Sequence, residues 1–228
     1  MRSLPFTADV YFSLFETYNR AIWPAQVVAY VLGIAVLLLA LRPVAAGGRI
    51  APAVLSAFWL WNGIVYHLMY FLQINFAALG FGALFVLQGV LLAASALGGG
   101  RPMRFRADLF GWSGLFLALF ALAVYPLVGW LAGHGWPRAA VFGVAPSPTV
   151  IFTFGMLLMA EGRAPLLLAA IPLLWSLIGG GAVFLLGTPE DVSLLLAGVV
   201  GFGLLVWKSR HARIDGESRN TPSLKNTR

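Results

Sequence analysis

The feature that most restricts this chain is the spacing of its charges. Asp, Glu, Lys and Arg are absent from seven long stretches, 22–41, 51–73, 76–97, 109–131, 139–160, 164–187 and 192–207. The first six run 20 to 24 residues, enough to cross a hydrocarbon core about 30 Å thick at about 1.5 Å per helical residue. The seventh is shorter and is flanked by Asp191 and Lys208. With no water inside lipid to satisfy peptide groups, apolar runs of this length are predicted to be helices and not barrel strands. Composition agrees, since only 10% of residues are charged against roughly a quarter in an ordinary soluble domain. The expectation is an all-α polytopic membrane protein with seven transmembrane helices over residues 21–208. An interfacial helix in 1–20 would precede them, and a disordered basic tail, 209–228, would follow.

Lys and Arg number 15 against 8 Asp and Glu, a net charge of +7. If seven spans alternate across the bilayer, the connections 42–50, 98–108 and 161–163 share one side with the tail. That side holds twelve basic residues, and the other holds Arg2, Arg20 and Arg138. The positive-inside rule makes the first side cytoplasmic and puts the N-terminus outside. The basic balance is therefore a topology signal, and no nucleic-acid partner is read from it. Cysteine is absent, which excludes disulfides, thiolate metal ligands and cysteine nucleophiles. The chain also lacks a P-loop, a G-x-S-x-G elbow and an H-E-x-x-H motif. No catalytic or metal-binding residue is assigned, and no cofactor is specified.

Thr7 is placed to cap a helix reaching Arg20, with Asp9, Ser13, Glu16 and Arg20 on one stripe and Val10, Tyr11, Leu14, Phe15 and Tyr18 elsewhere. Such a helix is expected at the outer surface, as a plain anchor or as a lid over a vestibule. In the second stretch, at 100° per residue, Asn62, Tyr66, His67, Tyr70 and Gln73 share one side with Trp59, opposite Leu60, Ile64, Leu68, Phe71 and Leu72. Hydrogen-bonding groups at that depth have to face protein or a water-filled cavity, because an unpaired amide or imidazole in lipid costs several kcal/mol. His67 is read either as a packing histidine or as a proton relay or solute contact. His134 and His211 fall outside the membrane on opposite sides, so they supply no metal site around it. In the third stretch Gln88 is expected to bond between helices, with the stripe on the second stretch as its candidate partner.

The fifth stretch is interrupted by Gly143-Val144-Ala145-Pro146-Ser147-Pro148-Thr149. Two prolines around one residue remove two amide donors and push Ala145 and Ser147 out of helical geometry. The helix is expected to break and restart with Ser147 as N-cap and Pro148 at the first position. Its free amides would then open into the membrane, and Thr149 and Thr153, one turn apart, would extend a row of hydroxyls. A proline kink healed by neighbouring groups is the alternative. In the sixth stretch Pro172, Trp175, Ser176 and the glycines 179–181 mark a close-packing surface or a hinge. Thr188-Pro189-Glu190-Asp191 reads as a capping box ahead of the seventh, which is favoured over catalysis or cation capture by the two acids.

Tyr18-Asn19-Arg20-Ala21-Ile22-Trp23-Pro24-Ala25-Gln26, Tyr66-His67, Ile74-Asn75, Phe142-Gly143-Val144-Ala145-Pro146-Ser147-Pro148, Ile151-Phe152-Thr153-Phe154-Gly155 and Gly187-Thr188-Pro189-Glu190-Asp191 together resemble a bacterial family of multi-spanning membrane proteins, a domain of unknown function. The resemblance covers nearly the whole chain up to the tail. It implies a bacterial inner (plasma) membrane and carries no activity. Members of that family usually have Cys between the two prolines, where this chain has Ser147, and Pro where it has Phe76. Without that thiolate, the soft-metal handling of a Pro-Cys-Pro helix is not implied here.

Two readings of function stand at this level. In the first, the protein binds or passes a small polar solute between the second, third and fifth stretches, at a site lined by Asn62, Tyr66, His67, Tyr70, Gln88, Ser147, Thr149 and Thr153. In the second, it is a non-catalytic scaffold or accessory subunit whose polar residues lock helices together within a homo-oligomer or a larger membrane complex. A membrane enzyme acting on lipid is a third and weaker reading. The lipid bilayer is the partner common to all three.

Overall fold

The computed structural model describes residues 5–42, 44, 46–181 and 183–220. Thr7 starts α1 (Ala8–Ala21), its hydroxyl accepting from the Val10 amide at 3.3 Å. The chain then bends by 85° into α2 (Ala25–Leu41). Next, α3 (Gly47–Trp61) runs directly into a π-helical segment, Asn62–Tyr70, and a 3-10 turn, Phe71–Gln73. After the tight connection at Ile74 and Asn75 come α4 (Ala78–Leu97), α5 (Leu109–Leu119), a π-helical turn (Phe120–Val124) and α6 (Tyr125–Leu131). The last four helices are α7 (Pro146–Met159), α8 (Leu166–Gly181), the short α9 (Val183–Leu186) and α10 (Val192–Asn220), the last entered through a 3-10 turn, Pro189–Asp191. Among the described residues the fold is all-α, and its one β-type pairing is an isolated bridge between Met103 and Ala160. Helix α10 continues to Asn220, where a disordered tail from residue 209 was expected; residues 221–228 lie outside the described residues.

The axis of the fold is α7, all of whose 14 residues are buried. It is enclosed by α3, α5, α8 and α10. Gly114 and Gly155 let α5 and α7 approach until a Cβ on either would lie 2.7 Å from the other's carbonyl oxygen. On the far side of α3 and the π-helical segment that continues it, α4 packs so closely that a Cβ on Gly63 would lie 2.9 Å from the Val86 amide nitrogen. The exterior is apolar: Val27, Val31 and Ile34 on α2, Leu87 and Val90 on α4, Phe116 on α5 and Val199 on α10 are all exposed. Lipid, not water, is the solvent such a surface suits.

Three helices are long and apolar enough to cross a membrane, Ala78–Leu97, Leu109–Leu131 and Pro189–His211, or four if the bent pair α1 and α2 forms one span. Seven were expected. Each of the seven charge-free stretches contains helix, but four do not qualify alone, for identifiable reasons. Helix α2 has 17 residues and reaches span length only together with α1. The run 47–73 is long, yet Arg49, Asn62, His67 and Gln73 dilute its apolar character. The prolines unwind the N-terminal third of the fifth stretch, leaving α7 with 14 residues, and α8 has 16. A helix sheathed on all sides by protein, as α7 is, has no bilayer thickness to match.

Candidate functional site

Over the nine residues Asn62–Tyr70 the backbone closes i→i+5 bonds. Side chains five apart therefore share a face. Asn62, Gly63, Tyr66, His67 and Phe71 are buried, whereas Ile64 and Met69 are exposed. The polar stripe expected on this helix thus turns inward over most of its length. Tyr70 is half-buried, and Gln73 lies at the surface, donating to the Met69 carbonyl at 2.7 Å.

The fifth stretch breaks where its prolines predict, with the new helix starting two residues earlier than expected. Gly143 takes φ +77°, which favours glycine, and Ala145 is extended. Pro146, not Pro148, occupies the first helical position, so Ser147 lies inside the first turn and does not cap it. Asn62 reaches this break: its Nδ2 donates to the carbonyls of Phe58 at 2.8 Å and Gly143 at 3.0 Å, with Thr149 Oγ1 at 3.4 Å. Thr149 and Thr153 turn their hydroxyls back onto the carbonyls of Ala145 and Thr149, at 2.7 and 2.8 Å. Trp59 Nε1 donates to Thr153 Oγ1 at 2.9 Å. Asn62, Thr149 and Thr153 are therefore brought together as a lock between α3 and α7. Asn62→Leu would leave the Gly143 carbonyl unpartnered in the core, an expected loss of about 1–3 kcal/mol, readable as a lower unfolding temperature in detergent.

Gln88 does not join this group. Its Nε2 makes the expected bond between helices, but to the Leu168 carbonyl on α8 at 2.8 Å and not to the second stretch, its candidate partner. Neither ring nitrogen of His67 has a hydrogen-bond partner. The imidazole sits among the rings of Tyr66, Phe71, Phe81, Phe85 and Trp175, at centroid distances of 4.7 to 6.0 Å.

A second convergence lies on the α1 side of the lock, beneath that helix. A cavity of about 160 Å³ is bounded by α1, the end of the π-helical segment, the start of α7, α8 and the turn before α10. Tyr11, Tyr66, Ser147 and Asp191 supply its polar wall, and Phe15, Phe71 and Trp175 are among its aromatic lining. Of the expected site residues, Tyr66 and Ser147 stand on this wall. Asp191 is 5% exposed and accepts from the Tyr125 hydroxyl on Oδ1 at 2.7 Å. Glu190, 4% exposed, turns the other way, its Oε1 3.5 Å from His134 Nδ1. Burial holds His134 below the usual imidazole range, and the Phe12 ring stacks on it at a centroid distance of 3.9 Å.

The expected capping box is corrected here. The Thr188 side chain makes no cap bond, and both acids face the protein interior. The 3-10 turn docks on α6 and so carries the acids inward. Sequence reasoning therefore missed Asp191, Tyr125, Tyr11 and Trp175. One signal was available: two adjacent acids in a region with no Lys or Arg between Arg163 and Lys208.

Helix α1 roofs the cavity through specific bonds. The Tyr18 hydroxyl donates to the Val144 carbonyl at 2.6 Å and accepts from Trp61 Nε1 at 2.9 Å. Asn19 Nδ2 donates to the carbonyls of Pro137 and Ala139 at 2.7 and 2.8 Å. On the exposed side, hydrogen bonds from Arg138 and then Arg20 hold the Glu16 carboxyl below the usual range.

Among the described residues no group of three or more His, Asp or Glu is arranged to hold a metal ion. An aromatic chamber with one buried carboxylate suits a small cation with an apolar body, because ring faces and the carboxylate both attract positive charge. Its volume is close to the roughly 150 Å³ that admits a benzene-sized molecule. No curated protein and no solved structure matches this chain. Residues 8–216, nearly the whole helical fold, match the family of unknown function DUF6064, and the chain belongs to that family.

Proposed function

We propose that this is an integral membrane protein that binds a small organic cation, such as a protonated amine of about benzene's size, in the cavity beneath α1. The observation that carries this reading is the placement of Asp191. It is a buried acid on an aromatic-lined cavity wall, and no Lys or Arg pairs with it among the described residues. A buried charge without a partner is costly. A proton or a bound cation relieves that cost, and the size and aromatic lining of the chamber favour the cation.

This reading keeps a small polar solute as the ligand but places the site outward of the one expected, at Tyr66, Ser147, Asp191 and Tyr11. Binding is better supported than passage, because the Asn62, Thr149 and Thr153 lock closes the route inward. The positive-inside rule would put the cavity on the outer side of a bacterial inner membrane, with α1 as its lid. The scaffold or accessory-subunit reading draws on that same lock, where the polar groups are engaged between helices. It requires a cavity that binds nothing.

The two readings separate by titrating the detergent-solubilised protein with benzylammonium and with benzoate, following tryptophan fluorescence, to which Trp175 contributes. Benzylammonium is expected to bind and benzoate to have no effect. Asp191→Asn keeps an acceptor for Tyr125 and should weaken benzylammonium about 10- to 100-fold. Equal responses to the two probes, or an unchanged affinity in Asp191→Asn, would remove the cation site.

A further inference from the structure

We propose that the cleft between α5 and α10 holds one anionic phospholipid, its phosphate at the basic end and an acyl chain along the apolar length. Both helices pack on α7, Gly114 against Gly155 and Gly201 against Phe154. Between them they leave a cavity of about 500 Å³. Trp112, Phe116, Phe120, Leu196, Val200 and Leu204 line it, and Trp112, Phe116, Leu196 and Val200 are all exposed, so among the described residues nothing else covers it. From Ser193 to Leu204 the cleft runs roughly 16 Å at 1.5 Å per residue, about half of a 30 Å hydrocarbon core and so the depth of one leaflet.

The same two helices lead into a second cavity, of about 240 Å³, lined by Arg104, Arg106, Lys208, His211, Asp108 and Glu161. Arg104 is exposed and pairs with no carboxylate among the described residues. Its backbone is held in place, with its amide donating to the Met159 carbonyl at 2.9 Å and the Glu161 amide to the Pro102 carbonyl at 2.8 Å. Lys208 Nζ donates to the Leu158 and Ala160 carbonyls at the end of α7. Asp108 accepts from the Gly111 amide at 2.8 Å and lies 3.8 Å from Arg106. Three cations against two acids leave the mouth positive. Trp112 and Trp207, both exposed near this end, are residues that settle at headgroup depth.

An apolar cleft alone would accept any acyl chain. A positive mouth in line with it selects the headgroup, since an anionic phosphate meets Arg104 without the ammonium that a zwitterionic lipid brings along. The occupant that satisfies both halves is a phospholipid, and neither half draws on the amine cavity beneath α1.

Native mass spectrometry of the full chain, released from detergent with equal amounts of phosphatidylglycerol and phosphatidylcholine of matched chains, tests this. One phospholipid per chain is expected, with about a tenfold preference for phosphatidylglycerol. Arg104→Gln with Arg106→Gln should bring the ratio near one, and Val200→Trp, filling the cleft from its exposed side, should reduce retention of both lipids. All three positions are exposed, so these variants keep the fold. Equal retention of the two lipids by the wild type, or an unchanged ratio in the double variant, would overturn the proposal. Displacement of the lipid by inorganic phosphate would make the mouth a free-anion site and overturn it as well. So would a dimer that Val200→Trp disrupts while no lipid is bound, because a second copy would then occupy the cleft.

Discussion

Gly155→Val is expected to destabilise the fold strongly, with a clearly lower unfolding temperature. A Cβ at this position would lie 2.7 Å from the Gly114 carbonyl oxygen and 2.8 Å from the Ala118 amide nitrogen. Both are backbone atoms of α5, so no side chain can swing aside. Valine adds two branches with a stiff χ1 to a position that lacks room for one carbon. Overpacking costs 1–3 kcal/mol where neighbours yield; here about 3 kcal/mol is expected, a large share of a typical total stability. Thermal unfolding in detergent should fall by roughly 6–12 °C, at about 2–4 °C per kcal/mol for a chain of this size. Gly203→Ala is the control, because a Cβ there meets nothing within 4 Å, and its effect should be neutral or slightly stabilising. If Gly155→Val unfolds together with wild type, α5 and α7 are not in backbone contact. The placement of Ser147 on the cavity wall by a rigid α7 then fails too.

Cysteine accessibility should divide the expected site residues into two classes. The chain has no cysteine, so a single replacement gives a signal without background. Ser147, 8% exposed and on the cavity wall, is expected as Ser147→Cys to react with a small water-soluble thiol reagent at least about a hundredfold faster than Asn62→Cys or Thr153→Cys, both at positions fully buried in the lock. A hundredfold difference corresponds to about 2.8 kcal/mol of extra opening, since each 1.4 kcal/mol is tenfold. In sealed vesicles the reaction should occur only from the side bearing α1, and benzylammonium should slow it. Comparable rates at all three positions would mean that water follows the whole stripe, which would restore passage over binding. A silent Ser147→Cys in a folded protein would mean that the cavity is closed to solutes.

The residues differ in how far their roles could be read in advance, and the division has a physical cause. Thr7 as a cap, the helical state of each charge-free stretch and the interruption near Pro146 rest on local chemistry, and each is present. What escaped prediction depends on contacts distant in the chain. The wheel drawn at 100° per residue assumed i→i+4 bonding, whereas the segment from Asn62 is π-helical where Gly63 and its neighbours pack tightly on α4. Gln88 could have bonded to any neighbouring helix, and the fold supplies the Leu168 carbonyl. Glu190 and Asp191 carry the pattern of a solvated first turn, and the docking of that turn on α6 buries them instead.

The π-helical stretch has one further consequence. Removing a single residue between Asn62 and Tyr70 would give an ordinary helix, equally greasy and scarcely shorter, that hydropathy could not distinguish from the original. Tyr66 and Phe71, five positions apart, share the chamber wall because the turn between them is wide; if the residue removed precedes Tyr66, the same spacing at 100° per residue would set the two rings about 140° apart, and one of them would leave the wall. The shape of the pocket is therefore encoded partly in how many residues the helix contains, and an alignment scored on residue type alone would pass over that information.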